Sequence, residues 1–126
     1  MAILLSVKPE YSEKIFSGEK KYEFRKKTPK ESVKKAFIYE SNPTKHIVGW
    51  ILIKKILSGS PDEIWGQCNN HGGIEKEKFF SYCADKKVIH ALEIEKYHQF
   101  DFPIDPYDLS SDFKPPQNFK YFEEFF

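Results

Sequence analysis

Gly18-Glu19-Lys20-Lys21-Tyr22-Glu23-Phe24-Arg25 begins with a glycine, after which charged side chains alternate with two aromatic ones. Glycine adopts conformations that other residues resist, so Gly18 predicts the end of a helix and the start of a strand. Upstream, the apolar residues 3–8 indicate a strand, and residues 9–17 indicate a short helix with a proline in its first turn. The octet 18–25 therefore predicts a turn followed by a second strand.

Strand alternation indicates which charged side chains of this octet share a face. Tyr22 and Phe24 point to one side, whereas Glu23 and Arg25 point to the other. Strict alternation puts Lys20 on the aromatic side, unless the turn at the glycine rotates it, which a glycine permits but does not require. A purely structural alternative is a surface ion pair of Glu23 with Arg25, typically worth no more than about 1 kcal/mol.

The rest of the chain predicts further strands interrupted by two helices. Ser60 has the position of a helix cap, with Glu63 in capping-box spacing, and Gly49 predicts a bulge within a long strand. Because regular alternation of strands and helices is missing, an antiparallel or mixed barrel is favoured over a doubly wound sheet, in one domain spanning residues 1–126. The predicted strands are 33–40, 46–57 and 87–102. The predicted helices run from Pro61 to about Gly66 or Gln67, and from Glu75 to Ala84.

Leu5-Ser6-Val7-Lys8-Pro9, followed by Gly18, Lys20, Glu23 and Arg25 at the spacing of the octet, resembles the opening of the ASCH domain. This domain is a member of the PUA-like superfamily of small β-barrels associated with RNA. Residues 41–49 and 115–121 are similar to the same family. The resemblance implies an α+β, mainly β fold, namely a PUA-like mixed or antiparallel β-barrel with about three short helices. It also implies that Lys20 faces a common cleft with Glu23 and Arg25.

Such a cleft predicts binding of single-stranded RNA or of a nucleotide-like ligand. Arg25 would offer a planar fork to phosphate or to a base edge, Lys20 a point charge, and Glu23 an acceptor for an exocyclic amine. Tyr39, Tyr22 or Trp50 would supply a stacking surface, although an aromatic residue on a strand more often belongs to the core. The predicted ligand-binding residues are Lys20, Glu23, Arg25, Tyr39, Ser41 and Asn42.

Three alternatives remain open at this point. Small relatives in the superfamily remove an acyl group from N4-acetylcytidine, and the resemblance assigns Lys20, Glu23 and Glu63 as the matching catalytic residues. Here Glu23 replaces a threonine, so that mechanism does not transfer intact. A ribonuclease would use Lys20 with His46 for acid–base chemistry. A protein-interaction adaptor would instead use the aromatic residues 100–126, which otherwise close the core as an irregular segment with Phe119, Tyr121 and Phe122 inward.

Charge distribution, apolar runs and cysteine content limit the classes of protein to which this chain can belong. The net charge of +1 conceals an asymmetry, with 13 Lys and Arg against 6 Asp and Glu in residues 1–58, and 7 against 13 in residues 59–126. A basic face formed by the first half would attract a polyanion despite the near-neutral total. No apolar run approaches the roughly 20 residues of a membrane span, and two cysteines without other signs of secretion indicate a cytoplasmic protein. The oligomeric state is left open.

No cofactor and no metal are predicted. Cys68, His71, Cys83 and His90 are residue types that zinc accepts, but their spacing matches no strong zinc pattern. The loop of residues 67–73 contains adjacent glycines without the Lys-Ser/Thr ending of a phosphate loop. We therefore expect this loop to form a mobile rim of the cleft.

Overall fold

The structure is a computed structural model that describes residues 2–30 and 32–122, except for the side chain of Phe122. Strands account for most of its regular elements. Two short 3-10 turns, at Asn69–His71 and Pro106–Asp108, connect them. The helices are α1 (Pro9–Phe16), α2 (Pro61–Cys68) and α3 (Lys76–Cys83). The strands are β1 (Ala2–Val7), β2 (Tyr22–Arg25), β3 (Lys35–Glu40), β4 (His46–Gly59), β5 (Ile89–Ile104) and β6 (Phe119–Phe122).

The six strands form one sheet in the order β2-β5-β4-β3-β1-β6. β1 pairs with β3 in parallel, and the other neighbouring strands are antiparallel. Shifts of register within the β3–β4 and β4–β5 pairs bend the long strands, so that the sheet curls into a half-barrel. This architecture confirms the predicted mainly β, PUA-like fold with a mixed sheet and three helices.

Gly49 lies at one of these bends, as its position in a long strand predicts. A Cβ atom at Gly49 would stand 2.2 Å from the carbonyl oxygen of His98 and 2.8 Å from the ring of Phe16. Ladder register also shifts between Ile47 and Gly49. The glycine is therefore required by the close approach of β5 and α1 to the bulge.

Three buried clusters hold the sheet and helices together. The largest lies between α1 and one face of the sheet, and includes Leu5, Ile15 and Ile51. The second joins α2 and α3 to β2 and β5 through Phe24, Phe79 and other residues, and the third packs Phe113 against β1, β3 and β4. The motif strand β2 is thus anchored by Phe24, which leaves its opposite face for the charged residues.

One of the three aromatic residues expected to point inward near the end of the chain needs correction. Tyr121 does not point inward, because its side chain is 40% exposed and its hydroxyl accepts a hydrogen bond from the Lys30 backbone N–H at 3.0 Å. Phe119 is half-buried and packs against the main core. The side chain of Phe122 and residues 123–126 lie outside the described residues, so the inward placement of Phe122 stays a prediction.

Both cysteines are free thiols buried in the cluster of α2 and α3. Burial raises the pKa of Cys68 to about 11 and also raises the pKa of Cys83. Since the thiolate is the reactive form, we expect neither thiol of the folded protein to react quickly with a disulfide reagent at pH 8, and both to react once urea unfolds the chain. Fast reaction of one thiol in the native protein would contradict this placement.

Neither a metal centre nor a membrane span is apparent in the part of the chain that the structure describes. Its His, Cys, Asp and Glu side chains form no group of three or more that could hold a metal ion. No helix within residues 2–30 and 32–122 is long and apolar enough to cross a membrane.

Candidate functional site

A cleft with a volume of about 1390 Å³ opens beside the end of β2. Its walls come from the start of α1, from α3, and from residues 115–120, which we call the strap. Eight of the lining side chains are cationic and two are carboxylates, which makes the cleft strongly basic. The cationic residues are Lys8, Lys20, Arg25, Lys26, Lys27, Lys78, Lys86 and Lys120, and the acidic ones are Glu10 and Glu23.

Glu23 lies at the floor of the cleft between two cations. Its Oε2 atom accepts hydrogen bonds from Arg25 Nε at 3.0 Å and from Arg25 Nη2 at 2.5 Å, and its Oε1 atom stands 3.7 Å from Lys20 Nζ. The side chains of Lys20, Glu23 and Arg25 are only 3%, 8% and 9% exposed. The structure therefore brings the three motif residues together as a buried charged triad rather than as a surface ion pair.

Lys20 reaches Glu23 because β2 begins only at Tyr22. Strand alternation therefore does not fix the direction of the Lys20 side chain. Gly18 has a φ of +84°, and the Lys20 backbone N–H donates to the Lys14 carbonyl at 2.9 Å. The backbone N–H of Lys21 donates to the His71 carbonyl at 2.7 Å. The turn thus lets the Lys20 ammonium reach the Glu23 carboxylate while it stays close to the ring of Phe24.

The loop expected at the rim of the cleft packs directly on Lys20. Lys20 Nζ donates a hydrogen bond to the Gly72 carbonyl at 2.5 Å. Gly73 has a φ of +64°, and a Cβ atom there would lie 2.7 Å from Lys20 Cβ. Gly73 is therefore needed because its backbone approaches the stem of the lysine closely.

Burial lowers the pKa of Lys20 below its usual 10.5, against the opposing attraction of the Glu23 carboxylate. The rings of Phe24 and Tyr11 also face the ammonium, with centroids 4.7 and 5.5 Å from Lys20 Nζ. A lysine of this kind releases its proton more readily than an exposed one. Its amine is consequently suited to proton transfer at a ligand in the cleft.

All the guanidinium donors of Arg25 are used within the protein. Nε and Nη2 donate to Glu23, Nη2 also donates to the Ser6 carbonyl at 2.6 Å, and Nη1 donates to Asn118 Oδ1 at 3.0 Å and to the Asn118 carbonyl at 3.4 Å. The expected fork for phosphate is thus engaged elsewhere, and the Glu23 carboxylate is occupied by cations rather than open to an exocyclic amine. Both residues shape the cleft instead of presenting free groups to it.

The strap is held in place by the same network. Ser6 Oγ donates to the Pro116 carbonyl at 2.7 Å, and the Ser6 backbone N–H donates to the Asn118 carbonyl at 3.1 Å. Together with Arg25, Ser6 fastens the strap across the top of β1. One wall of the cleft therefore depends on contacts between opposite ends of the sequence.

Other predicted ligand-binding residues have mixed placements. Tyr39 and Ser41 line the cleft, whereas Asn42 is not among its lining residues. Tyr39 is only 3% exposed and its ring packs on Phe113 with centroids 5.4 Å apart, so little of it is available for stacking. Tyr22, Trp50 and His46, which the sequence offered as alternatives, do not line the cleft either.

Glu63 was expected to supply a catalytic carboxylate, and the structure places it elsewhere. Its Oε1 atom accepts a hydrogen bond from the Ser60 backbone N–H at 3.0 Å, and its own N–H donates to Ser60 Oγ at 3.1 Å. Glu63 is not among the residues that line the cleft. The capping-box spacing that Glu63 also satisfies was the better guide to its position.

Several residues of the cleft were not singled out from the sequence. Lys26 and Lys27 directly follow the octet, and the Lys26 ammonium lies 4.8 Å from the ring centroid of Tyr82 on α3. The basic pair could have been recognised as a continuation of the motif. Asn118, in contrast, carried no signal beyond its place in a stretch similar to the family, because its partner Arg25 is 93 residues away.

Comparisons with known proteins agree with this architecture. Large ribosomal subunit protein uL22 of Ureaplasma parvum is 29% identical over 122 residues, which cover 94% of this chain but only 38% of that protein. The chain thus spans about two fifths of the length of this curated relative. An ASCH domain-containing ribonuclease of Zymomonas mobilis is 25% identical over 122 residues, covering 91% of this chain and 80% of that protein.

Among solved structures, the crystal structure of ASCH from Zymomonas mobilis superposes with a TM-score of 0.90. The alignment covers 98% of this chain and 88% of that chain at 21% identity, a likeness that shows the fold alone. The sequence profile of the ASCH domain matches residues 5–102, which contain the octet and the strands around it. The chain therefore belongs to the ASCH domain family.

Proposed function

We propose that this protein binds single-stranded RNA in the basic cleft. The observation that carries the proposal is the charge of the lining of the cleft. Eight cationic and two acidic side chains surround one cavity, in a chain whose net charge is only +1. Local potential of this kind attracts a polyanion independently of the total charge. Two relatives, one named a ribonuclease and one a ribosomal protein, support RNA as the class of partner.

The rim of the cleft is the part suited to phosphate. Lys26, Lys27 and Lys86 make no salt bridge with a carboxylate of residues 2–30 and 32–122, so their ammonium groups are available. Tyr82, which is 36% exposed, and Tyr11 line the same cavity, where unpaired bases would contact the parts of their rings that Lys26 and Lys20 do not cover. Stacking on aromatics together with backbone charge contacts is typical of single-strand recognition.

The free thiols of Cys68 and Cys83 support a cytoplasmic location for this activity. Thiols are kept reduced in the cytosol, and RNA is abundant there. Retention of both thiols in protein isolated with an alkylating agent would support this location, whereas a disulfide would contradict it.

Replacing the adjacent Lys26 and Lys27 with methionine is expected to weaken RNA binding by about tenfold at low salt, because two phosphate contacts are lost. The slope of log affinity against log salt concentration should fall by roughly 1.4, at about 0.7 for each single-strand phosphate contact. Fluorescence anisotropy with a mixed-sequence single-stranded RNA over a salt series measures both quantities. The double substitution of Lys54 and Lys55 on β4 is the matched control, since it removes the same charge outside the cleft.

The control variant should retain the wild-type affinity and salt slope. Equal losses in both double variants would show that binding follows net charge and not the cleft. Absence of binding by the wild-type protein at low salt would overturn the proposed function itself.

Ribonuclease activity at the same cleft is a second candidate, favoured by the buried amine of Lys20 and its lowered pKa. The neutral amine would accept the proton of the ribose 2′-hydroxyl as this oxygen attacks the phosphorus, and the departing 5′ oxygen would take a proton from water. Incubation of an end-labelled RNA with the pure protein and a chelator tests this, with fragments expected in proportion to protein. The N4-acetylcytidine alternative needs a further carboxylate from a later helix, and no observation favours it because Glu63 caps α2.

A further inference from the structure

The hydrogen-bond acceptors at the floor of the cleft are already occupied. Glu23 Oε2 accepts two bonds from Arg25, and Glu23 Oε1 faces Lys20 at 3.7 Å. The Ser6 carbonyl accepts from Arg25, and the Gly72 carbonyl accepts from Lys20. A ligand that enters the floor therefore meets few free acceptors.

Asn118 provides the opposite kind of group. Arginine can only donate hydrogen bonds, so the Asn118 amide must turn its Oδ1 atom toward Arg25 Nη1, at 3.0 Å, and its Nδ2 atom away. Nδ2 donates no hydrogen bond to another atom of the described residues. Every buried side-chain nitrogen or oxygen among these residues has a hydrogen-bond partner, so an atom without a partner is not buried. Nδ2 is therefore accessible, and Asn118 lines the cleft.

The direction of this amide is fixed by a chain of contacts rather than by chance. Glu23 holds the plane of the Arg25 guanidinium, and the Ser6 carbonyl holds its Nη2 end. Arg25 in turn holds Asn118 Oδ1 and the Asn118 carbonyl. Glu23 and Arg25 are consequently positioning residues, and the group that they present to the cleft is the Asn118 amine.

A donor at this position distinguishes between bases. Uracil carries a carbonyl at position 4 and guanine one at position 6, where cytosine and adenine carry exocyclic amines. A carbonyl placed against Asn118 Nδ2 accepts its hydrogen bond, whereas an amine at the same place would meet another donor and remain unpaired. We propose that the cleft selects keto bases, uracil or guanine, with Asn118 as its specificity-determining residue. This inference rests on the proposed RNA binding.

Competition between oligouridine and oligocytidine of equal length tests the inference. Both polymers have the same phosphates and pyrimidines of the same size, so the ratio of their affinities reports the base edge alone. We expect wild-type protein to prefer oligouridine by roughly three- to tenfold, the effect of one net hydrogen bond. Asn118→Asp keeps the shape and the contact with Arg25 but presents an acceptor, so the preference should disappear or reverse.

Gln117→Glu is the matched control, because Gln117 also lines the cleft and the substitution introduces the same charge. It should weaken both oligonucleotides equally and keep the wild-type ratio. Asn118→Ala, which adds no charge, should bring the ratio close to one, and it serves as the test if Asn118→Asp does not fold.

Two failures are distinguishable. Equal, salt-sensitive affinity of the wild-type protein for both oligonucleotides would overturn base selection and leave RNA binding intact. Absence of binding to either would overturn both proposals. A wild-type preference for oligouridine that persists in Asn118→Asp and Asn118→Ala would remove Asn118 from its role.

Discussion

Glu23→Gln is expected to lower the free energy of unfolding by about 3 to 5 kcal/mol, the cost typical of breaking a buried ion pair. The carboxylate stands between Lys20 and Arg25, all three side chains being at most 9% exposed. Glutamine keeps the size of the side chain but leaves two buried cations facing each other without a compensating charge. Because Arg25 also fastens the strap, the loss should extend to one wall of the cleft.

Urea denaturation followed by circular dichroism measures this difference. Glu10→Gln is the matched control, since it removes a carboxylate from the same cleft whose partner, Lys78, is 58% exposed. That substitution should cost no more than about 1 kcal/mol. If Glu23→Gln cost as little as Glu10→Gln, the triad would not be the buried electrostatic centre of the cleft.

Lys20→Met is expected to reduce RNA cleavage by about 100- to 10,000-fold, if the cleft acts as a ribonuclease, because general acid–base catalysis contributes that much. Methionine retains the length of the side chain while removing the amine. The form of Lys20 that acts as a base is its neutral amine, and the pKa of Lys20 lies below 10.5. The rate of cleavage by the wild-type protein should therefore rise with pH and level off below pH 10.5. Rates of fragment formation over a pH series measure both effects.

Folding can be separated from chemistry in this experiment. Lys20→Met leaves Glu23 paired with Arg25 but leaves the Gly72 carbonyl without its donor, so the free energy of unfolding should fall by only about 1 to 3 kcal/mol. Lys21→Met, at the exposed neighbouring position, should retain the wild-type rate. Undiminished cleavage by folded Lys20→Met would eliminate this residue as the acid or base.

Local patterns in the sequence predicted much of the fold. Three features lie where the sequence predicts them: the turn at the start of the octet 18–25, the capping box at Ser60 and Glu63, and the bulge at Gly49. Each of them has a physical cause within a few residues. The curling of the sheet follows from such bulges. The mainly β class was therefore accessible without any knowledge of contacts between distant parts of the chain.

The composition of the site was less predictable because it depends on distant contacts. Nothing near Arg25 indicates that its donors are used by Ser6 and Asn118, which are 19 and 93 residues away. The same limit applies to Glu63, to which the sequence assigned a catalytic role. Its capping-box spacing correctly predicted the contact with Ser60, whereas its separation from Lys20 along the chain did not indicate their separation in space. Only the fold shows that the donors of Arg25 are used by Glu23, Ser6 and Asn118 rather than left free in the cleft.

The contact between Ser6 and Pro116, which joins residues 110 positions apart, has a consequence for synthesis of the protein. A nascent chain carries β1 and β2 long before the strap leaves the ribosome. Pairings of such large sequence separation form late, since a long loop must close before they are made. The contacts that hold the strap on β1 therefore form late, and a nascent chain without residues 115–120 does not yet have the closed cleft.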